Sequence, residues 1–384
     1  TIKLDGNYPT GTNNVALGNE ALDSGSLSGG YNVAVGTSAL TNNTSGTQNV
    51  ALGSSSLSSN TTGVGNTALG DDTLVDNVSG GQNIAIGINS LRRNTVSCNT
   101  SVGYNSLCNN TTGATNTAVG SLSLRSNTTA SNNTAVGLCA LYANTTGTIN
   151  TAVGKESLRD NTTGDRNVAI GAETLVNNTT GLCNIAIGQG ALFTNSTSCN
   201  NVAIGKSGLF YNTTGDFNTA IGSCTLVNNT TADNNTAVGF SSLKCNTTGT
   251  LNTAVGVCSS FAMTTGQQNI SMGGSSLAAN TTGSRNSALG QSSLAVNVSG
   301  NDNVAVGHGS LSANTTAHEN TAVGRASLQS NTTGTDNTAI GMKSLNANTT
   351  GANNVAVGFQ ALDSNTTANE NVAVGRCSLF SNTE

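Results

Sequence analysis

Residues 116–132 read Asn-Thr-Ala-Val-Gly-Ser-Leu-Ser-Leu-Arg-Ser-Asn-Thr-Thr-Ala-Ser-Asn, and the next 17 residues repeat this order of amide, small and aliphatic side chains. The opening motif, Asn-[Thr/Val/Ile]-Ala-[Val/Ile/Leu]-Gly, begins with close variants 22 times between Asn14 and Asn371. The copies are 17 residues apart, except for a first interval of 18 and one interval of 16 between Asn83 and Asn99. A fixed short period is typical of repeat architectures, in which each copy is one structural unit.

The composition is unusual for an ordinary globular enzyme. Only 8% of the 384 residues are charged and 3% are aromatic, whereas average domains hold about 25% charged residues. A net charge of −5 is too small for the usual disordered chain, and the 13 scattered Lys and Arg residues form no nucleic-acid footprint. No stretch of about 18 apolar residues suggests a membrane span. The sequence therefore predicts a repetitive protein with a thin hydrophobic core, which does not bind nucleic acid and does not span a membrane.

The spacing of apolar positions predicts an all-β fold, a parallel β-solenoid or β-roll of about 22 coils. We number each repeat from its first Asn, which puts Gly at position 5, Leu at position 9 and a second Asn at position 12. Positions 1–4 read as a strand in which positions 2 and 4 share a face, and positions 7–10 as a second strand that points Leu inward. The Asn-Thr-Thr-Gly segment is then the return turn, with Asn and Gly accepting positive φ.

Stacked coils place identical residues in columns. We expect an amide ladder, an aliphatic column at position 4 and a leucine column at position 9: Asn32, Asn49, Asn66 and Asn83; Val35, Leu52, Leu69 and Ile86; Leu40, Leu57, Leu74 and Leu91. The small residues at positions 3 and 8 would then face outward, for example at Ala34, Ala51, Ala68 and Ala85. Because an outward Ala gains nothing from solvent, close packing of other chains against it predicts an obligate homo-oligomer, a trimer.

The motifs at 167–171, Asn-Val-Ala-Ile-Gly, and at 184–188, Asn-Ile-Ala-Ile-Gly, resemble the N-S-V-A-I-G motif of YadA-like heads in trimeric autotransporter adhesins. The resemblance covers nearly the whole chain and implies a left-handed, three-chain β-roll on a bacterial surface that binds matrix or host molecules. The repeat departs from the family's, which averages about 14 to 15 residues, and the Asn-Thr-Thr-Gly turn is not part of that motif. Similar arrays also resemble parts of long surface or fibre proteins of bacteria and viruses.

For domain organisation, we predict that residues 1–13 form a partial leading coil. Residues 14–384 are predicted to form a single β-solenoid array that stops mid-coil. Solenoids are usually closed by capping coils with a polar outer face, and neither end has the sequence of a cap. The array is therefore expected to be an excerpt of a longer chain or to join other subunits in a filament.

The titratable residues do not predict catalysis or a metal site. His308 and His318 fall at positions 6 and 16 of one coil without a shared carboxylate, and acidic residues such as Glu156 and Glu173 occupy variable positions. A catalytic site needs a base, a residue that orients it and a pocket, so we predict no catalytic, cofactor-binding or metal-binding residues and no cofactor. The calcium-binding solenoid signature Gly-Gly-x-Gly-x-Asp is also absent from the sequence.

The nine cysteines are an odd number and include no Cys-x-x-Cys pair, so their spacing does not predict a zinc site. Four of them occupy position 7, where Ser also occurs, but the nearest two are two coils apart and beyond disulfide reach. Cys183 and Cys199 sit at neighbouring positions of adjacent coils and could form a bridge. For the others, we interpret Cys as a small side chain.

Eighteen of the position-12 asparagines head an Asn-x-Ser/Thr triplet, the acceptor sequence for N-glycosylation. Either they form a column of acceptors on an exposed turn, or Asn and Thr form turn ladders. We favour the ladders, because glycans about 4.8 Å apart would crowd one another. Regular Thr also suggests ice-binding solenoids with a flat Thr-x-Thr face, but the paired Thr residues here are adjacent in a turn and should point in different directions.

The sequence therefore predicts a non-enzymatic extracellular structural fibre or filament segment. It would be a rigid spacer, with a possible adhesive role, at a cell or virion surface. The alternative is an adhesin module that binds carbohydrate or protein through variable outward positions, supported by the clustering of Phe193, Phe210, Tyr211 and Phe217. Ice binding is a minor alternative. The expected partners are other copies of the chain and, for the adhesin, a host surface glycan or protein.

Overall fold

The computed structural model describes residues 12–382 and is all-β, with no helix in that range. It contains 22 strands, each of three residues at positions 2–4 of a repeat. The chain divides into two compact units, one up to Gly190 together with Thr194–Thr197, the other Ala191–Phe193 together with the chain from Ser198 onward. Most of the predicted leading coil, residues 1–11, lies outside the described residues, as do 383–384.

The first unit holds strands β1–β11. Each pairs in parallel and in register with the strand one repeat away, as in Ala34↔Ala51. The bounds are β1 Val15–Leu17, β2 Val33–Val35, β3 Val50–Leu52, β4 Thr67–Leu69, β5 Ile84–Ile86, β6 Thr100–Val102, β7 Thr117–Val119, β8 Thr134–Val136, β9 Thr151–Val153, β10 Val168–Ile170 and β11 Ile185–Ile187.

The second unit holds strands β12–β22 with the same parallel register, as in Ala220↔Ala237. The bounds are β12 Val202–Ile204, β13 Thr219–Ile221, β14 Thr236–Val238, β15 Thr253–Val255, β16 Ile270–Met272, β17 Ser287–Leu289, β18 Val304–Val306, β19 Thr321–Val323, β20 Thr338–Ile340, β21 Val355–Val357 and β22 Val372–Val374. The predicted all-β parallel solenoid with a 17-residue repeat is confirmed in both units.

Hydrogen bonds between coils continue beyond the strand. In the coil that begins at Asn32, the backbone N–H of Val33 donates to Asn49 O at 2.9 Å, and that of Leu40 donates to Ser56 O at 3.0 Å. Farther round, the N–H of Thr44 donates to Thr61 O at 2.9 Å. Each coil is therefore joined to its neighbours around its perimeter, although only three residues of it meet the definition of a strand.

The prediction that Ala at position 3 faces outward is wrong. Ala34, Ala51, Ala68 and Ala85 are fully buried inside the coil, whereas Leu52 at position 4 is 42% exposed. Because side chains alternate along a strand, an inward position 3 forces positions 2 and 4 outward. The aliphatic column of Val35, Leu52, Leu69 and Ile86 therefore lies on the outer surface, and the argument for a trimer from outward Ala and Ser columns loses its basis.

The leucine column is confirmed, but the second strand that was to carry it is absent. Leu40 is fully buried, yet it and Ser38 have φ of 51° and 55°. Left-handed residues at positions 7 and 9 break the pleat, so Ala39 and Leu40 are both buried although they are consecutive. A strand would have sent one of them outward. The segment from position 6 to position 11 is a series of turns.

Positive φ occurs at positions 5, 7, 9 and 17, but the prediction that it occurs in the Asn-Thr-Thr-Gly return turn is wrong. Gly36 at position 5 has φ of 133°, whereas Asn43 and Gly46 of the return turn do not have positive φ. A Cβ on Gly36 would also lie 2.5 Å from the carbonyl oxygen of Gly53 in the next coil. Position 5 therefore needs Gly for its backbone angle and for the close approach of neighbouring coils.

Candidate functional surfaces

Two amide ladders run through the interior of the coils, at positions 1 and 12. In one coil, the Asn49 side-chain amide donates to the carbonyl oxygen of Gly63 at 2.8 Å, and the Asn60 amide donates to the same oxygen at 3.3 Å. The Asn60 amide also donates to Asn43 Oδ1 of the preceding coil at 2.9 Å. Buried polar groups need such partners, which explains why these two positions retain Asn. The predicted position-1 ladder is confirmed, and the position-12 asparagines form a second one.

The position-12 ladder is interrupted where the sequence departs from the repeat. Met263 occupies position 12 and offers no donor, so Asn246 Oδ1 in the preceding coil has no hydrogen-bond partner. In the 16-residue repeat, the Asn94 amide donates to Val96 O at 2.7 Å, and Asn77 Oδ1 is left without a partner. A buried acceptor without a donor costs about 1–3 kcal/mol. Each of these two interruptions marks a local weak point in the interior of its unit; Asn365 Oδ1, near the C-terminal end, also has no partner.

The asparagines of the glycosylation triplets are buried and do not lie on an exposed turn. Asn60, Asn110, Asn127 and Asn331 all have 0% exposure. Where Thr occupies position 13, as in Thr61, it is half-buried and its hydroxyl donates to Val78 O at 3.1 Å, whereas Thr62 at position 14 is exposed. The ladder interpretation of these columns is confirmed. The two adjacent Thr residues thus have different environments and do not form a flat, equally exposed pair.

The outer surface of the strands carries two rows of side chains that the sequence reasoning misplaced. Position 2 is Thr or Ser in eleven strands and Val or Ile in the other eleven, while position 4 is Val, Ile, Leu or Met in all 22. Ile84, Ile270 and Met272 are 41%, 41% and 43% exposed. No charged residue occurs in either row. The signal was present in the sequence, because a position that accepts both Thr and Ile is typical of a surface, whereas position 3 accepts only Ala or Ser.

A small aromatic cluster in the second unit is formed by residues at positions 10 and 11 of two adjacent repeats. The rings of Phe193 and Phe210 are stacked with centroids 5.0 Å apart, and Tyr211 meets Phe210 edge-on at 4.8 Å. Tyr211 is 50% exposed. Phe217, at position 17, is 58% exposed and is not in ring contact with these three residues. The structure thus brings together three of the four aromatic residues that supported the adhesin alternative.

The charged residues include one surface network and one separate pair. Lys155 contacts Glu156 at 3.3 Å and Glu173 at 3.8 Å. Arg159 contacts Asp160 at 2.7 Å and Glu156 at 3.2 Å, and Arg285 Nε contacts Asp302 at 2.6 Å. The hydrogen bond from Arg285 lowers the pKa of Asp302. Exposed pairs of this kind contribute little to stability. These contacts link the charged side chains to one another on the surface of the coils.

The two histidines have separate environments. His308 lines a cavity of about 130 Å³ with Arg325, Gln329 and Lys343, whereas His318 Nδ1 accepts a hydrogen bond from the Asn301 backbone N–H at 2.9 Å. Neither contact pairs a histidine with a carboxylate. Among residues 12–382, no group of three or more His, Cys, Asp or Glu side chains is placed to hold a metal ion.

None of the nine cysteines takes part in a disulfide, so the bridge considered between Cys183 and Cys199 is not formed. Burial raises the pKa of the Cys108 and Cys139 thiols. A raised pKa lowers the fraction of reactive thiolate at neutral pH. Both cysteines are therefore suited to the role of small side chains that the sequence suggested.

No family model, no curated protein and no solved structure matches this chain. The likeness to YadA-like heads therefore stays a prediction from the motif. Within the described part of the chain, no helix is long and apolar enough to cross a membrane.

Proposed function

We propose that this chain is a non-enzymatic structural segment of an extracellular fibre or filament, a rigid spacer displayed at a cell or virion surface. The observation that carries the proposal is the repetition of one set of contacts. The parallel register of Val33↔Val50 recurs at Thr236↔Thr253, and the amide ladders recur beside it. Solenoids of this kind are stabilised by nearest-neighbour contacts, so coils can be added without a new core. That property suits a spacer, whose length is set by the number of repeats.

We also propose that the segment works as a homo-oligomer. The stoichiometry of three follows from the resemblance to trimeric adhesin heads, and it no longer draws support from the alanine column. Its support in this chain is the outer strand face, which consists of the outward side chains at positions 2 and 4 of the repeats. On this face Val50 and Leu52 are 41% and 42% exposed. Exposed apolar patches larger than a few hundred Å² are uncommon on proteins that remain single.

Removal of whole coils tests the spacer role. We expect a chain without residues 116–149, which make up two coils, to fold normally and to be shorter by about 10 Å, because parallel strands lie about 4.8 Å apart. A matched control without residues 116–140 removes one and a half coils, breaks the register and should not fold. Electron microscopy of particle length, with circular dichroism, gives the measurement. A two-coil deletion that folds and leaves the length unchanged would contradict the proposal.

A second candidate, an adhesin module that binds carbohydrate, is favoured by the stacked pair Phe193 and Phe210 with Tyr211 at its edge. Aromatic faces are common platforms for amphipathic ligands. If this candidate holds, Phe210→Ala combined with Tyr211→Ala should lower binding on a glycan array at least tenfold, while Phe217→Ala should not. Equal binding by all three proteins would remove this candidate and leave the spacer proposal intact.

A further inference from the structure

The residue types on the outer strand face are restricted in a way that strand propensity does not explain. Both outward rows accept β-branched residues, which are favoured in strands. We call the side chains at position 2 row 2 and those at position 4 row 4. If strand propensity alone selected the residues, Thr should occur in both rows, yet row 2 has ten Thr and row 4 has none. Row 4 instead accepts Leu52, Leu289 and Met272, which are not β-branched. Row 4 therefore requires an apolar side chain, as expected of a surface that becomes buried against a partner.

The absence of charge defines the chemistry of the partner. The two rows have 44 side chains, two from each of 22 strands, and none is charged, although the chain has 31 charged residues, 13 basic and 18 acidic. An anionic or cationic ligand would find no complementary group on this face. The Thr hydroxyls and methyl groups of row 2, beside the aliphatic row 4, suit another apolar surface with sparse hydroxyls. Charged residues such as Lys155 and Glu173 lie at positions 6 and 7, off the face.

The area of the face reaches what a specific contact between proteins needs. Three residues along a strand span about 10 Å and eleven strands span about 50 Å, so the face of either unit covers about 500 Å². Pairing one such face with another buries about 1,000 Å² in total, which is the approximate lower bound for a specific interface. A ligand the size of a monosaccharide would leave most of this apolar surface exposed.

The periodicity of the face indicates which partner fits. Its rows advance by one residue per coil, at the strand spacing of about 4.8 Å, and every coil presents two uncharged side chains, the second of which is always aliphatic or Met. A partner that covers all the coils equally must be apolar and must repeat at the same step. The corresponding face of another copy of this chain meets both conditions, because its rows have the same spacing and the same side chains.

We propose that the outer strand face, made of positions 2 and 4 of the repeats, is the surface through which copies of this chain associate. This inference rests on the proposed function and names its interface. It replaces the alanine and serine columns, which are buried within each chain. The apolar contact predicts that association is not weakened by salt, because there are no charges on the face to screen, and that it becomes weaker on cooling.

Charge placed on row 4 tests the interface. The row variant has a lysine at row 4 of four coils: Val119→Lys, Val153→Lys, Val238→Lys and Met272→Lys. The matched control has a lysine at the exposed position 14 of the same four coils: Thr129→Lys, Thr163→Lys, Thr248→Lys and Thr282→Lys. Multi-angle light scattering should give the wild type and the control a multiple of 38.1 kDa, and the row variant 38.1 kDa. Circular dichroism should show the same fold for all three.

Three results would overturn the inference. One is a monomeric wild type at about 100 μM, another is equal dissociation of both variants, and the third is a row variant that keeps its full mass. A monomeric wild type whose face adsorbs to ice crystals would assign the face to ice instead. In each case the two-coil deletion reports separately on the spacer role, because particle length depends on the coils of one chain whether or not copies associate.

Discussion

At the scale of single residues, Asn60 shows how the repeat uses a side chain that resembles a modification site. Its amide donates to Asn43 Oδ1 and to Gly63 O, and its Oδ1 accepts from the Asn77 amide at 2.9 Å. A glycan on this nitrogen would replace one donor hydrogen and would need space that a fully buried side chain lacks. The folded coil and the glycosylated side chain therefore exclude each other.

This exclusion predicts the outcome of expression in a eukaryotic secretory pathway. We expect the folded, secreted protein to carry no glycan at position 12, and we expect glycosylated chains to be retained. Thr62→Ala, which changes an exposed residue and removes the Asn60 triplet, should leave the ladder intact; similar changes along the column should raise secreted yield several-fold. Intact-mass spectrometry before and after deglycosylation provides the measurement. A secreted chain with native circular dichroism and glycans on these asparagines would refute the prediction.

At the scale of the coil, residues 252–268 depart from the repeat in two compensating ways. Ser260 replaces the inward Leu at position 9 and Met263 replaces the Asn at position 12, and both are buried. The Ser260 hydroxyl lies 2.8 Å from that of Ser271, which replaces the usual Ala at position 3. The neighbouring Phe261 does not fill the space left by Ser260, because it is half-buried on the outside beneath Lys244. Met263 supplies the buried apolar bulk.

The compensation predicts strong coupling between Ser260 and Met263. Ser260→Leu alone should overpack the coil against Met263, and Met263→Asn alone should leave a void beside Ser260, so each should destabilise the unit by about 1–3 kcal/mol. The double variant restores the repeat and gives Asn246 Oδ1 a donor, so it should be at least as stable as the wild type. Urea unfolding of the four proteins measures the coupling. Additive effects of the two changes would show that the residues do not share one space.

The repeat predicted the parallel stacking, the buried leucine at Leu40 and the amide ladder at Asn49, because a solenoid requires identical residues to meet in columns. The period of the repeat did not by itself predict which face of the strand is inside; the restriction of position 3 to Ala and Ser was the signal that could have done so. Alternation permits both answers, and Ala34 is buried because the coil is too thin to hold larger residues at position 3. The left-handed backbone at Leu40 was also unpredictable, since such conformations are rare for Leu and persist only where burial compensates them.

At the scale of the whole molecule, stability should follow the weakest coils and not the average coil. In a chain of nearest-neighbour contacts, opening starts where those contacts are poorest. Asn77 and Asn246 are the interior ladder residues that face a changed neighbour, the first beside the 16-residue repeat and the second beside Met263. We therefore expect hydrogen exchange to be fastest, among internal coils, in residues 83–98 of the first unit and 252–268 of the second.

An acceptor without a donor that costs about 1–3 kcal/mol corresponds to exchange roughly ten to a hundred times faster than in neighbouring coils. Mass spectrometry of exchanged peptides measures this, and the variant with Ser260→Leu and Met263→Asn should lose fast exchange in 252–268 while keeping it in 83–98. Uniform protection along the interior of both units would mean that the ladders contribute little, and that the backbone hydrogen bonds around each coil carry the stability by themselves.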